Sequence, residues 1–207
     1  MTTWFTSDTH FGHKNIIEYC QRGMKQFGRT FTDVEEMFQV LVGAWNSKVL
    51  PHDEVYHLGD FAMGPSTEWP RYASALNGRK HLIFGNHDCD ESKYRKTGVW
   101  TPRPKIYECG FLSIQEELYI NYRGVRIWMA HFPYGETDSK RGYSRPKAKQ
   151  QWDVALNGHV HDAWLVNKSG SVNVGVDVWG LFPQTFEDII TGTEHLGQIL
   201  PNHTFLK

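Results

Sequence analysis

Asp8 and His10 stand two positions apart just after the short run Trp4-Phe5-Thr6, and His159 and His161 repeat that spacing after Val154-Ala155-Leu156. Gly59-Asp60, Gly85-Asn86-His87-Asp88 and His131 follow three further apolar runs. Carboxylate, amide and imidazole in this mixture suit Mn, Fe, Zn or Ni better than Mg or Ca, which favour oxygen alone. Along an extended segment, residues two apart project to one side, so Asp8 and His10 can grip one ion. His159 and His161, with Cα atoms roughly 6.5 to 7 Å apart, can serve two ions about 3.5 to 4 Å from each other. Asp60 is the expected bridge, each carboxylate oxygen binding one cation, with Gly59 allowing close approach. Asn86 adds a carbonyl oxygen and His131 another nitrogen. Two divalent ions, Mn first among Mn, Fe, Ni and Zn, are therefore the expected cofactors. A water held between them loses a proton near neutrality and becomes a nucleophile toward phosphorus.

His87 follows a ligand on a tight turn, which puts its imidazole beside the substrate. An imidazole is the side chain suited to protonating a leaving alkoxide around neutral pH. Asp88 has three open roles: orienting His87, bracing a ligand, or capping the next helix. His13 either contacts substrate or caps a short helix. Arg22, Lys25 and Arg29, and later Arg141 and Arg145 with Lys147 and Lys149, could reach the rim and hold non-reacting phosphate oxygens. Tyr134, Tyr143 and Trp152 could stack on a base there; the competing reading for these basic stretches is a solvated face.

These groups need elements to gather them. Trp4 to Thr6, Val55 to Leu58, Lys80 to Phe84, Val125 to Ala130 and Val154 to Leu156 read as short buried strands, so the ligands fall at strand ends. Val34, Met37, Phe38, Leu41, Val42 and Trp45 share one face of a helix that a Thr32–Glu35 capping box would start. Further helices are expected over Thr67 to Leu76, with Pro70 in its first turn, over Glu91 to Lys96, and over Lys147 to Trp152. After Phe111 the pattern turns to hairpins, at Tyr122-Arg123-Gly124 and Asn167-Lys168-Ser169-Gly170, predicting antiparallel strands. Asn173 to Gly180 alternates like a strand; Asn173 and Asp177 either line the cleft or make supporting contacts. Trp164 and Trp179 read as core, and an exposed pair would mark a homo-oligomer interface.

With 207 residues, 40% of them hydrophobic, the chain reads as one globular domain over residues 1–207. A formal charge of −1 gives no general electrostatic grip on nucleic acid, so any polyanion must be recognised locally. Cys20, Cys89 and Cys109 are odd in number and lack metal-type spacing, which points to a reducing cytoplasm. Met1-Thr2-Thr3 leads straight into a strand, and no run is long enough to span a bilayer, so an unprocessed cytoplasmic protein without a membrane partner is expected.

Taken in order, Asp8-x-His10, Gly59-Asp60, Gly85-Asn86-His87-Asp88, His131 and Gly158-His159-x-His161 resemble the motifs of the calcineurin-like metallophosphoesterase superfamily. The resemblance implies an α/β fold, a four-layer α-β-β-α sandwich with the dinuclear metal site at the carboxyl ends of the strands. It implies Asp8, His10, Asp60 and His161 on one metal, Asp60, Asn86, His131 and His159 on the other, and His87 as catalytic acid. Protein Ser/Thr phosphatases of the superfamily carry Asp-Arg-Gly after the second motif and Asn-His-Glu in the third. Here Phe61-Ala62-Met63-Gly64 follows Asp60 and Asp88 follows His87, which argues against that branch and leaves the orienter of His87 open. The compact layout is more similar to small bacterial and phage phosphodiesterases. The expected activity is hydrolysis of a phosphodiester, in a nucleotide or short nucleic acid. The alternatives are a phosphomonoesterase or nucleotide pyrophosphohydrolase, and, from another class, a non-catalytic nucleotide-binding module.

Overall fold

The structure is a computed structural model that describes residues 1–134 and 151–195. It is a mixed α/β fold of two sheets flanked by helices, consistent with the calcineurin-like sandwich. The first sheet contains β1 (Thr3–Thr6), β2 (Glu54–His57), β3 (Arg79–Ile83), β4 (Ser113–Gln115) and β9 (Gln184–Thr185), ordered β4-β3-β2-β1-β9. The first four pair in parallel, while β9 runs antiparallel to β1. The second sheet contains β5 (Glu117–Tyr122), β6 (Val125–Ala130), β7 (Val154–Asn157) and β8 (Ser171–Asn173), in that order.

Alternation along the strands divides the core. Trp4, Val55 and Leu82 face outward from the first sheet, against α3 (Val34–Asn46) and α4 (Trp69–Ser74). Phe5, Leu58 and Ile83 face inward, where they meet Ile127, Met129, Leu156 and Val172. Phe186, Ile189 and Ile190 of α6 (Phe186–His195) join this inner core.

α3 buries Met37, Phe38, Leu41 and Trp45, the expected face. Its cap lies one residue later than the sequence suggested: Asp33, not Thr32, accepts the Glu35 and Glu36 N–H groups at 2.9 and 2.8 Å. Glu36 reaches back past the cap to the Thr32 N–H at 2.7 Å and the Thr32 hydroxyl at 2.9 Å, so Asp33 caps the helix and Glu36 ties down the residue before it. α4 keeps Pro70 in its first turn and is preceded by a 3-10 turn at Ser66–Glu68. Asn46 ties the end of α3 to the end of α4 through the Ala75 carbonyl and Asn77 N–H.

The Tyr122-Arg123-Gly124 turn forms as expected between antiparallel β5 and β6, with Arg123 and Gly124 both at positive φ. Beyond it the expectation of antiparallel strands gives way, since β7 and β8 run parallel to β6 and β4 runs parallel to β3. The Asn167–Gly170 turn does bring Val166 back against Val172, but only as an isolated antiparallel bridge. The alternating stretch after Asn173 leaves the sheet for turns. Most of the helix expected over Lys147 to Trp152 lies outside the described residues, and Gln151 and Trp152 are not helical. The short helix that His13 was offered as capping is α1 (Lys14–Tyr19), and α5 (Glu91–Thr97) forms as expected; α2 (Met24–Phe27), a 3-10 helix at Pro104–Cys109 and α6 were not read from the sequence. Among the described residues no helix is long and apolar enough to cross a membrane.

Candidate functional site

Each expected ligand lies past the carboxyl end of a strand: Asp8 and His10 after β1, Asp60 after β2, Asn86 after β3, His131 after β6, and His159 and His161 after β7. Parallel strands aim these loops at one edge. The backbone there is strained: Asp8, His10, Asp60, His159 and His161 all have positive φ, between 47° and 74°. Non-glycine residues hold such angles only where surrounding contacts force them, and they concentrate at functional sites.

Glycines make the crowding possible. A Cβ at Gly85 would fall on Asp60 Oδ1 and 2.7 Å from the Asp60 nitrogen; one at Gly158 would collide with Ser7 Oγ and approach Asp8 Oδ2 to 2.5 Å. Asp88 binds the loops to each other, its carboxylate accepting the N–H groups of Asp60, Phe61 and Gly85 at 2.7, 2.9 and 2.8 Å. Burial, and then the charge of nearby Asp60, push the Asp88 carboxyl up to about 7, opposed by those donors. Its oxygens are thus engaged with backbone, and α5 is capped by Asp90 instead. Of the three roles open to Asp88, bracing is the one its contacts fit.

Two sets of ligand atoms result. Asp8, His10 and His161 each offer an atom within 4.8 Å of the others, as do Asp60, His131 and His159. Asp60 stands between the sets: its Oδ2 is 3.5 Å from His10 Nε2 and 3.4 Å from His131 Nε2. Its Oδ1 accepts the His87 backbone N–H at 2.9 Å. One oxygen therefore faces both sets, in place of the expected division of one oxygen to each. His131 gives its Nδ1 hydrogen to the Leu58 carbonyl at 2.8 Å, leaving Nε2 toward Asp60 and 3.2 Å from Asn86 Oδ1.

His10 fits a cation best. It is 1% exposed, and both its ring nitrogens are buried without a hydrogen-bond partner. Such orphaned nitrogens are costly unless something binds them. Burial holds its pKa well below the ordinary value, keeping a lone pair available despite nearby Asp60. Burial opposes ionisation of Asp60, yet His131, His87 and His10 hold it well below the usual carboxylate range. Burial raises Asp8. His131 loses to burial but is carried to about 9 by Asp60, so a proton and a metal compete for its Nε2.

The open cleft above has a volume of about 730 Å³ and includes His13, Ile16, Tyr19, Met63 and His87 in its walls. The His87 side chain is 35% exposed, with Nε2 3.9 Å from Asp60 Oδ2. His13 is the N-cap of α1, but its side chain makes no capping bond; its ring lies 5.3 Å from that of His10 and 6.2 Å from that of His87. Arg141, Arg145, Tyr143, Lys147 and Lys149 lie outside the described residues. Two expected rim cations are engaged elsewhere: Arg29 pairs with Glu36, and Arg22 is 2% exposed and pairs with Asp177. Asn173 and Asp177 make supporting contacts, Asn173 holding the His161 and Trp164 carbonyls. Trp164 and Trp179 are half-buried, and Trp179 packs on Gly192 of α6, so the exposed pair that would have marked an interface is not formed.

Sequence reading passed over His57, which sits fully buried at the end of β2. The Gly59 N–H donates to its Nδ1 at 3.2 Å, so Nε2 carries the hydrogen toward Thr9 Oγ1 at 2.9 Å; Thr9 in turn donates to the Phe61 carbonyl at 2.8 Å. This neutral imidazole links the first and second motif loops. Within the sequence it was one histidine in an apolar run, with nothing to set it apart.

A loop cluster of this kind defines a class, the metal-dependent phosphoric-ester hydrolases, and the comparisons agree. The chain belongs to the calcineurin-like phosphoesterase family, which it matches over residues 1–174. It is 31% identical to the Gene 66 protein of Mycobacterium phage L5 over 192 residues, covering 86% of this chain and 87% of that protein. It is 39% identical to an uncharacterised protein of Methanocaldococcus jannaschii over 195 residues, covering 90% of this chain and 88% of that one. Among solved structures, a protein of unknown function from Aquifex aeolicus superposes with a TM-score of 0.61 at 25% identity, over 92% of this chain and 98% of that one.

Proposed function

We propose that this chain is a dinuclear metal-dependent phosphodiesterase acting on a phosphate-ester small molecule, a nucleotide, with short nucleic acid as the larger variant. The observation that carries the reading is Asp60 Oδ2, set 3.5 Å from His10 Nε2 and 3.4 Å from His131 Nε2. In this reading Asp8, His10, Asp60 and His161 hold one ion, and Asp60, Asn86, His131 and His159 the other, with manganese the proposed metal. Bound there, two divalent ions lower the pKa of a water and neutralise charge developing on phosphorus.

The residues themselves do the rest. Asp60 turns Oδ2 toward His10 and His131 while the His87 N–H holds its Oδ1 in place. His87 stands at the cleft surface, where its imidazole can donate a proton to the departing alkoxide. His13, 5.3 Å from His10 by ring centroids, borders the same space as a substrate contact. Arg141 and Arg145 are assigned the non-reacting phosphate oxygens. A cleft of about 730 Å³ walled partly by Ile16, Tyr19 and Met63 has room for organic groups on both ester oxygens, which favours a diester. Tyr19, 71% exposed, offers a face for a base. Three free cysteines among the described residues fit a cytoplasmic setting, and we treat residues 1–207 as one domain.

Hydrolysis of bis- and mono-p-nitrophenyl phosphate with Mn, Ni and Mg tests the reading. Faster turnover of the diester, greatest with Mn and lost in chelator, is expected. Monoester preference would move the assignment to a phosphomonoesterase, and metal uptake without hydrolysis of either compound would support a non-catalytic module.

A further inference from the structure

Arg22 is among the largest fully buried side chains, an unusual place for a guanidinium unless each N–H finds a partner. Nε and Nη2 grip the two oxygens of Asp177 at 2.8 and 3.0 Å. Nη1 donates to the Thr9 carbonyl at 2.7 Å and Nη2 also to the Asp8 carbonyl. Asp177 Oδ2 in turn accepts the Nδ1 hydrogen of His161 at 2.9 Å. A single run of hydrogen bonds thus joins the backbone of the first motif to the imidazole of the last.

With Nδ1 committed to Asp177, His161 has only Nε2 left to face Asp8 and His10. A carboxylate on the far nitrogen fixes tautomer and ring rotation and makes the near nitrogen a better ligand. The carbonyls that Arg22 holds belong to the backbone around Asp8, whose φ is 58°, a conformation that persists only under such constraint. Cys20, His161 and Asp177 also come within 4.8 Å of one another. Arg22 places its positive charge on both Asp177 oxygens, where a separate cation would need to bind, so the cluster is a support and not another metal site.

We propose that Arg22 and Asp177 are positioning residues for one metal site only, the one formed by Asp8, His10 and His161, and that they set its affinity. The inference rests on the reading that those three residues bind metal. The test is calorimetric titration of metal-free protein with Mn, comparing wild type, Asp177→Asn and the double variant Arg22→Met/Asp177→Asn, which removes the buried pair together. Wild type should bind two ions; both variants should lose about 10- to 100-fold in affinity for one of them and keep the other. Diester turnover should return as Mn is raised, with KM unchanged, and Arg22→Lys should not restore tight binding, because an ammonium lacks the fork that spans two oxygens. A folded variant that binds both ions as wild type does overturns the proposal.

A measurement on wild type covers the case in which the variants do not fold. In protein loaded with ¹¹³Cd and labelled with ¹⁵N-histidine, coupling is expected from cadmium to His161 Nε2, with Nδ1 still protonated. Coupling through Nδ1 would overturn the inference while leaving the metal reading intact. Failure of wild type to bind metal at His10 at all would remove the metal reading, and the inference with it.

Discussion

His57 shows how much of a site can depend on a side chain that touches no substrate. Its imidazole is buried, and burial lowers its pKa from 6.5 to about 3, outweighing the attraction of Asp60. Between those two values the unfolded chain binds a proton that the folded chain does not, so folding stability falls as pH drops through that window and recovers above it. Urea unfolding of metal-free wild type and His57→Gln checks this. Wild-type stability should fall more steeply between pH 6.5 and 3, by up to about 1.4 kcal/mol per pH unit for one proton. Parallel slopes would mean that His57 is already protonated in the fold. The candidate ligands were legible in the sequence because Asp, Asn and His recur behind apolar runs, and the structure gathers them at one edge. Bracing was one of three roles the sequence left open for Asp88, and its contacts with the Asp60 and Gly85 loops select it; nothing local marks His57 or Arg22 as hydrogen-bond partners of residues distant in sequence. Arg22 in particular resembled a rim cation until its partner Asp177, 155 positions away, came into contact.

Elements were readable in proportion to their length and periodicity. α3, with 13 residues, repeats its apolar face several times, whereas α1, α2, β8 and β9 are too short to establish a period. The cap of α3 was misplaced by one residue because Thr32 and Asp33 are both good N-caps, and only the folded backbone brings the first-turn N–H groups to Asp33. Parallel pairing of β7 and β8 was missed for a different reason: a turn is visible in the sequence, but the strand that pairs across it is not. Glycines separate fold from site at this scale. Gly43 is an exposed position of α3 with nothing within 4 Å of an added Cβ, so Gly43→Ala should stabilise by about 0.5 to 1 kcal/mol with activity unchanged. Gly85→Ala would drive a methyl into Asp60 and should abolish metal-dependent hydrolysis, at a cost of about 1 to 3 kcal/mol in stability. Thermal unfolding and diester hydrolysis on the two variants check the pair; activity retained by Gly85→Ala would contradict the close approach.

At the scale of the molecule, two sheets share an inner core of Phe5, Leu58, Ile83, Ile127, Met129 and Leu156 and direct their carboxyl-end loops to the same edge. That is how Asp8 and His159, 151 positions apart, come to share a hydrogen bond. With a net charge of −1, the chain has no broad field to draw in a polyanion, so any recognition of one must be local. The central claim is that this edge binds two neighbouring cations through the shared Asp60 oxygen. Anomalous diffraction from crystals grown with manganese tests it most directly. The account predicts two manganese peaks about 3.5 to 4 Å apart with Asp60 between them; a single isolated ion, or ligands turned away with no ion near Asp60, would contradict it.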